Sequence, residues 1–337
     1  MTFIKRILLT LIPLIGLSSY AQYTDVINSN RPGASRSAYS VGRNVVQFEA
    51  GPFSVNEERV PAPQTEAKGF GIDFAVRYGL LWEQLELNIE GNYQNDTFTR
   101  ISEDLSSEEK RSNFRTLAFG AKYLVFDPYK NSEKEKPNLY SWNANHSFRW
   151  RSLLPAVSAY VGAHFDSKDN PFTAQGIEGI SPRVIIATQN NFSNGWVFVT
   201  NFILDRIGTD QSDFTYILTL THGFGEKWVA FGETQGIRSD FYADNLFRIG
   251  GAYLLSKDFQ LDTAVTFNTK DTPTVLSFNF GMSYRLDYHK DKEKEEKIDN
   301  GNKLKGKKRS KKNKSKKRKK GEPEEEKTKH KKTDIDF

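Results

Sequence analysis

The sequence predicts an all-β fold: a transmembrane, antiparallel, up-and-down β-barrel of about 12 strands, or of 14, followed by a disordered basic tail. Three observations predict it. Apolar and polar residues alternate with period two in one segment after another, aromatic residues cluster at the segment ends, and the connections alternate between short and long. A soluble sandwich would also alternate. The polar positions, however, are rich in Gly, Ala, Ser and Asn with isolated charges, which suits a crowded lumen better than a surface facing bulk water.

Residues 1–21 read as a secretory signal peptide. Lys5 and Arg6 supply its positive end, 7–17 an apolar run too short to span a bilayer, and Ser19 and Ala21 the small residues before a cut at Gln22. A segment over 22–43 follows. The barrel is expected over 44–287 and the tail over 288–337.

Within the barrel, Phe70, Ile72, Phe74, Val76 and Tyr78 alternate with polar or small residues. The pattern recurs in 85–93, 116–123, 214–221, 259–268 and 276–286, and more weakly in 44–51, 155–165, 182–190, 196–204, 228–235 and 246–255. Short turns are expected near 80–83, 191–195, 222–227 and 256–258. Long polar loops are expected near 52–68, 94–113, 166–180, 205–213 and 236–245. The connection 127–153, with Trp142, Phe148, Trp150 and Arg151, breaks the alternation. It holds either an interfacial segment or the extra strand pair of a 14-stranded barrel. An even count puts both chain ends on one side, the periplasmic side of a Gram-negative outer membrane.

Composition excludes several classes. The absence of cysteine excludes disulfides, thiolate metal sites, iron–sulfur clusters, a thiol nucleophile and a lipidated N-terminal Cys. The mean hydropathy of −0.62 argues against a helical membrane bundle. The pI near 9.1 belongs to one place: residues 290–337 hold 21 Lys+Arg against 11 Asp+Glu, whereas 22–289 hold 25 against 31. From Lys303 to Lys320 there are 13 basic residues and no acid. An exported tail of this kind is read as a solvated arm, a spacer or a contact to anionic headgroups or peptidoglycan carboxylates, not as a nucleic-acid binder.

No catalytic residue, metal ligand set or cofactor is expected. His146, His164, His222, His289 and His330 form no paired ligand motif. The stretch 191–195 partly resembles the H-x-S-N-G element of the outer-membrane phospholipase. Asn191 stands where the general-base His is needed, so Ser193-Asn194-Gly195 reads as a hairpin turn. The lumen-lining candidates are Asp73, Arg77, Glu86, Asn88, Glu90, Lys122, Arg183, Arg248, Asp262, Asn279 and Arg285. They serve as a paired structural network or as pore electrostatics. Glu86 and Glu90 share a face about 13–14 Å apart, too far for paired acid–base work. Asp25, Asn30 and Arg31 precede the first strand and belong to a lumen plug or a periplasmic cap.

Thr24-Asp25-Val26-Ile27-Asn28-Ser29-Asn30-Arg31-Pro32-Gly33, then Gln47-Phe48-Glu49-Ala50-Gly51, and later Gly120-Ala121-Lys122-Tyr123, resemble elements of the outer-membrane family named for the meta-pathway of phenol degradation. The resemblance covers roughly 22–287. It implies a barrel that passes small, often hydrophobic or aromatic, molecules across the outer-membrane bilayer. The tail after Leu286 departs from it. The reading is therefore a passive channel for small solutes, not an enzyme. A structural barrel tethered to the envelope by its tail is the alternative, and a barrel lipid hydrolase is disfavoured.

Overall fold

The computed structural model describes residues 26–60, 63–102, 105–128, 153–192 and 195–289. The signal peptide, Asp25, most of the 127–153 connection, Ser193, Asn194 and the basic tail lie outside the described residues.

Twelve strands run in order: β1 (Val45–Arg59), β2 (Gln64–Gly79), β3 (Leu85–Ser102), β4 (Leu105–Phe126), β5 (Ala156–Asp166), β6 (Gly179–Asn191), β7 (Trp196–Asp205), β8 (Asp213–Phe224), β9 (Trp228–Arg238), β10 (Ala243–Ser256), β11 (Phe259–Asn268) and β12 (Thr274–Asp287). Each pairs antiparallel with its sequence neighbours, and β1 pairs with β12 from Val45↔Asp287 to Glu58↔Thr274, closing the barrel. Closure pairs every strand on both sides, which a bilayer demands because lipid offers no partner to an open edge. β4 pairs directly with β5, from Ala118↔His164 to Phe126↔Val157, so the wall has no place for the extra strand pair and the 14-strand alternative falls.

The end at which β1 begins and β12 finishes is here the near end; the opposite rim is the far end. At the far end two expectations need correction. Of the segments 52–68 and 94–113, residues 52–59, 64–68, 94–102 and 105–113 are strand rather than loop: β1 and β2 stay paired to Arg59↔Thr65, and β3 and β4 to Ser102↔Leu105. Beyond the bilayer both faces of a hairpin meet water, so the polarity contrast that marks a strand disappears. The ladder persists there because Thr97, Thr99 and Ile101 favour extended backbone and because pairing satisfies the main chain. A register shift opposite Asn92/Tyr93 sets the inward face of the upper part of β4. True loops remain at 167–178, 206–212 and 239–242.

The two faces have the sense of a membrane barrel. Outward positions hold Phe70, Ile89, Val161, Ile186, Ile249, Phe280 and many other exposed large apolar side chains. Inward positions hold buried Gln47, Glu49, Arg77, Glu86, Lys122, Asn201 and Ser283. An apolar surface that encircles the molecule exceeds what water tolerates. Trp228–Tyr253 (ring centroids 4.5 Å apart), Trp196–His222 (4.2 Å) and Phe259–Tyr284 (6.1 Å) form an aromatic belt near the near end. From Trp228 to Arg238, the 11 residues of β9 rise about 25 Å along the barrel axis at about 3.4 Å per residue and a tilt near 45°, the usual height of the apolar band. The chain is a transmembrane β-barrel of the outer-membrane type.

Candidate functional site

A 12-stranded barrel is too wide for wall side chains alone to fill completely. Here the described part of the N-terminal segment, 26–43, enters the lumen. It starts at the near end, where Ile27 N donates to Lys257 O (2.8 Å). It then crosses from β11 and β12 past β9 and β7 to β3 and β4, and returns to begin β1. Lacking a sheet ladder of its own, it needs side-chain partners for its main chain.

The wall supplies them. Asn30 N donates to Glu49 Oε1 (3.2 Å), Ala34 N to Glu233 Oε1 (3.0 Å), Ser35 N to Glu233 Oε2 (3.2 Å) and Val41 N to Glu86 Oε2 (3.0 Å). In the opposite sense, Lys122 Nζ donates to Ser37 O (3.1 Å) and Tyr39 O (2.9 Å), Arg77 Nη1 to Asn28 O (2.7 Å) and Gln260 Nε2 to Arg31 O (3.1 Å). Asn201 makes both kinds of bond, accepting from Arg36 N and donating to Arg36 O.

Two arginines of the segment reach across the lumen. Arg36 forks onto Glu90. Arg31 Nη2 lies 3.3 Å from Asp262 Oδ1 and rests on Gly51 of β1 and Gly281 of β12. A Cβ at either glycine would overlap the guanidinium, so the pair forms a slot in the wall fitted to Arg31. Among the described residues neither Asp262 oxygen accepts a hydrogen bond, so charge alone holds this contact.

The 11 residues expected to line the lumen all occupy inward positions, and most are paired. Glu86 is the centre of one cluster: Arg77 donates to it through Nε and Nη2 (3.0 Å each), and Lys122 Nζ lies 3.2 Å away. Asn88 approaches the same carboxylate at 3.5 Å, and Arg77 also reaches Glu49 (3.2 Å). Glu90 meets Arg183 (2.8 Å) as well as Arg36, so the two glutamates have separate cationic partners and do not act as a pair. Arg248 meets Glu233 (2.7 Å), Arg285 meets Asp258 (2.7 Å), Asp73 accepts from Asn92 (2.5 Å) and Asn279 accepts from Ser277 (3.2 Å). Of the N-terminal candidates, Asn30 and Arg31 lie in the lumen and Asp25 lies outside the described residues.

Sequence reasoning missed Glu49, Asn201 and Glu233, which hold the segment, and a second charged cluster toward the far end. There His164 Nδ1 lies 3.1 Å from Asp205, and Arg206 forks onto Asp166 (2.9 Å for both contacts) and lies 3.0 Å from His164 Nε2. At the far rim Arg115 bridges Glu57 and Gln94 (3.2 Å each), and Tyr242 donates to Asp244 (2.6 Å). Burial, and then that carboxylate, raises the Tyr242 hydroxyl above the ordinary phenol range.

A buried inward wall, a glycine slot for the arginine of Arg31-Pro32-Gly33 and strands carrying Gln47–Gly51 and Gly120–Tyr123 are now located in one lumen. A family model described as "Putative MetA-pathway of phenol degradation" matches residues 29–286. The chain belongs to this family. The match begins within the segment folded into the lumen and ends one residue before the last residue of β12. No curated protein matches the chain. Among solved structures it is similar to an outer-membrane channel from Pseudomonas putida F1, at 10% identity over 77% of this chain and 100% of that one, with a TM-score of 0.47. It is also similar to the translocator domain of the autotransporter NalP from Neisseria meningitidis (10% identity, 76% and 90% covered, TM-score 0.45). A third similar structure is the CymD monoaromatic hydrocarbon channel (9%, 74% and 90%, 0.37).

Proposed function

We propose that the protein is a passive channel of the outer membrane for small solutes, gated by its N-terminal segment. The observation that carries this reading is the way the segment is held. It crosses the lumen on hydrogen bonds and ion pairs to wall side chains, none of them covalent and none part of the barrel ladder. It can leave without breaking a strand pair. With the segment withdrawn, Glu49, Glu86, Glu90, Glu233 and Asp262 become pore-facing acids beside Arg77, Lys122, Arg183 and Arg248, and they tune passage by charge.

The near end is assigned to the periplasm. Both ends of the barrel meet there, as expected for a chain exported through its N-terminus, and the longer far-end ribbons and loops face outward. The family's association with phenol degradation makes small aromatic solutes the first class to assay. Proteoliposomes containing the full chain are expected to admit small solutes faster than empty liposomes, and more so when the segment is released. Vesicles as tight as protein-free controls in both states would refute the channel.

A further inference from the structure

The outward surface of the barrel has a depression at mid-height over β8, β9 and β10. Along β9 the outward residues are small: Ala230, Gly232 and Thr234. The flanking strands carry large ones, so Leu218 and Leu220 on one side and Phe247 and Ile249 on the other stand as walls about Gly232. Phe198 and Phe267 extend the rim, and the depression is open to the surface with a predominantly apolar lining. A Cβ built on Gly232 meets nothing within 4 Å, so no protein atom occupies the space.

Two polar features bound the depression toward the far end. Tyr216 lies over Gly236, where its hydroxyl donates to Asn245 (3.1 Å). Arg238 closes the outward row of β9 and is exposed. Six residues separate Gly232 from Arg238, about 14 Å of height for a strand at 3.4 Å per residue tilted near 45°. Half of a hydrocarbon core is about 15 Å. With Arg238 at the headgroup level, the depression therefore sits at the midplane, where an acyl chain from the same leaflet ends.

We propose that this face is a binding site for a phosphate-bearing membrane lipid of the far-end leaflet, with one acyl chain laid along β9 into the Gly232 depression and the phosphate against Arg238. The apolar cavity selects the chain and the terminal guanidinium selects the headgroup charge. Lipid is the occupant because the surrounding outward face is the apolar band itself, and the single cation of β9's outward row stands where a phosphate lies. The site is separate from the lumen and does not depend on the channel reading.

The test uses the full-length protein in nanodiscs carrying phosphatidylglycerol or phosphatidylcholine with a photoactivatable group near the acyl terminus, and adducts are mapped by mass spectrometry. Adducts from phosphatidylglycerol are expected to concentrate on Leu218, Leu220 and Ile249. Arg238→Gln is expected to lower them roughly five-fold, the factor for the about 1 kcal/mol that one Arg near an anionic surface supplies, while leaving phosphatidylcholine labelling unchanged. Gly232→Leu, which fills the depression, is expected to abolish the concentration of adducts for both lipids. Its folding is checked by the different gel mobility of unboiled and boiled samples, and if it fails to fold the Arg238→Gln comparison decides alone. Labelling spread evenly round the barrel, labelling indifferent to headgroup charge, or a protein–protein crosslink across this face would overturn the proposal.

Discussion

Replacing Arg31 with Ala is expected to open the barrel. Arg31 is the counter-charge of Asp262, at 3.3 Å, and Asp262 is 3% exposed with neither oxygen otherwise bonded among the described residues. With the segment in place and the guanidinium gone, Asp262 is a buried charge without compensation, a penalty of about 3–5 kcal/mol. With the segment withdrawn, water enters and hydrates Asp262, so the open state escapes that penalty. The loss therefore falls on the closed state alone, and the closed-to-open ratio drops by roughly two to four orders of magnitude at about 1.4 kcal/mol per factor of ten. Planar bilayer recording reads this directly, as an ionic current that is rare in the parent and frequent in Arg31→Ala. Adding Asp262→Asn removes the unpaired charge and should return much of the closed state. If Arg31→Ala conducts no more than the parent, or if Asp262→Asn fails to reduce the current of the double variant, the electrostatic account of closure is wrong.

Gly281→Ala acts on the same contact from the wall side. Its Cβ would displace the guanidinium of Arg31 without removing any charge, so current should rise, though less than in Arg31→Ala. Glu86→Ala leaves Lys122 buried without its carboxylate and Arg77 with Glu49 alone, and should destabilise the barrel by about 3–5 kcal/mol, read as a lower temperature for loss of the compact form on unboiled gels. Phe280 faces lipid near the middle of β12, and Phe280→Arg should cost about 2–4 kcal/mol in a folding titration into vesicles. Asn279→Arg, one residue away on the lumen face, should cost far less, and equal costs would contradict the assignment of faces.

Where lipid touches the wall, the sequence is easy to read. An outward polar residue is costly in hydrocarbon, so Phe278, Phe280 and Met282 must alternate with Asn279, Gly281 and Ser283, and the strand shows itself. The upper parts of β3 and β4 escape this constraint, and 94–113 therefore looks like loop although the two strands stay paired up to Ser102↔Leu105. β9 is faint for another reason: its outward residues are small, so the contrast with inward Glu233 is weak and that anchor goes unnoticed. The N-terminal segment carries no periodicity. Its contacts lie up to 254 residues away, as between Ser29 and Ser283, and only the closed barrel brings them together. The same holds for His164, Asp205 and Arg206, which reach one cluster from two strand ends and a loop.

The charges in the lumen answer a question that the alternatives of structural network and pore electrostatics leave open, namely what an inward acid is for. A segment without regular structure brings unsatisfied N–H groups into the largely buried lumen, and each left unpaired costs about 1–3 kcal/mol. Neutral wall residues could accept these bonds, but a carboxylate accepts several at once and does so more strongly. Glu233 takes Ala34 N, Ser35 N, the Thr219 hydroxyl and Arg248 together; Glu86 takes Val41 N, Arg77 and Lys122. Each acid thus binds the segment and is itself neutralised by a wall cation that stays behind when the segment leaves. Withdrawal therefore leaves Glu233 and Glu86 in balanced pairs, and Glu90 keeps Arg183 when Arg36 departs, whereas Asp262 loses its counter-charge Arg31, which travels with the segment. On the proposed gating, Asp262 is consequently a carboxylate left without its cationic partner when the segment withdraws. Neutralising it should alter the ion selectivity of the open channel more than neutralising Glu233 or Glu86, and reversal potentials measured in a salt gradient across the bilayer would show the difference.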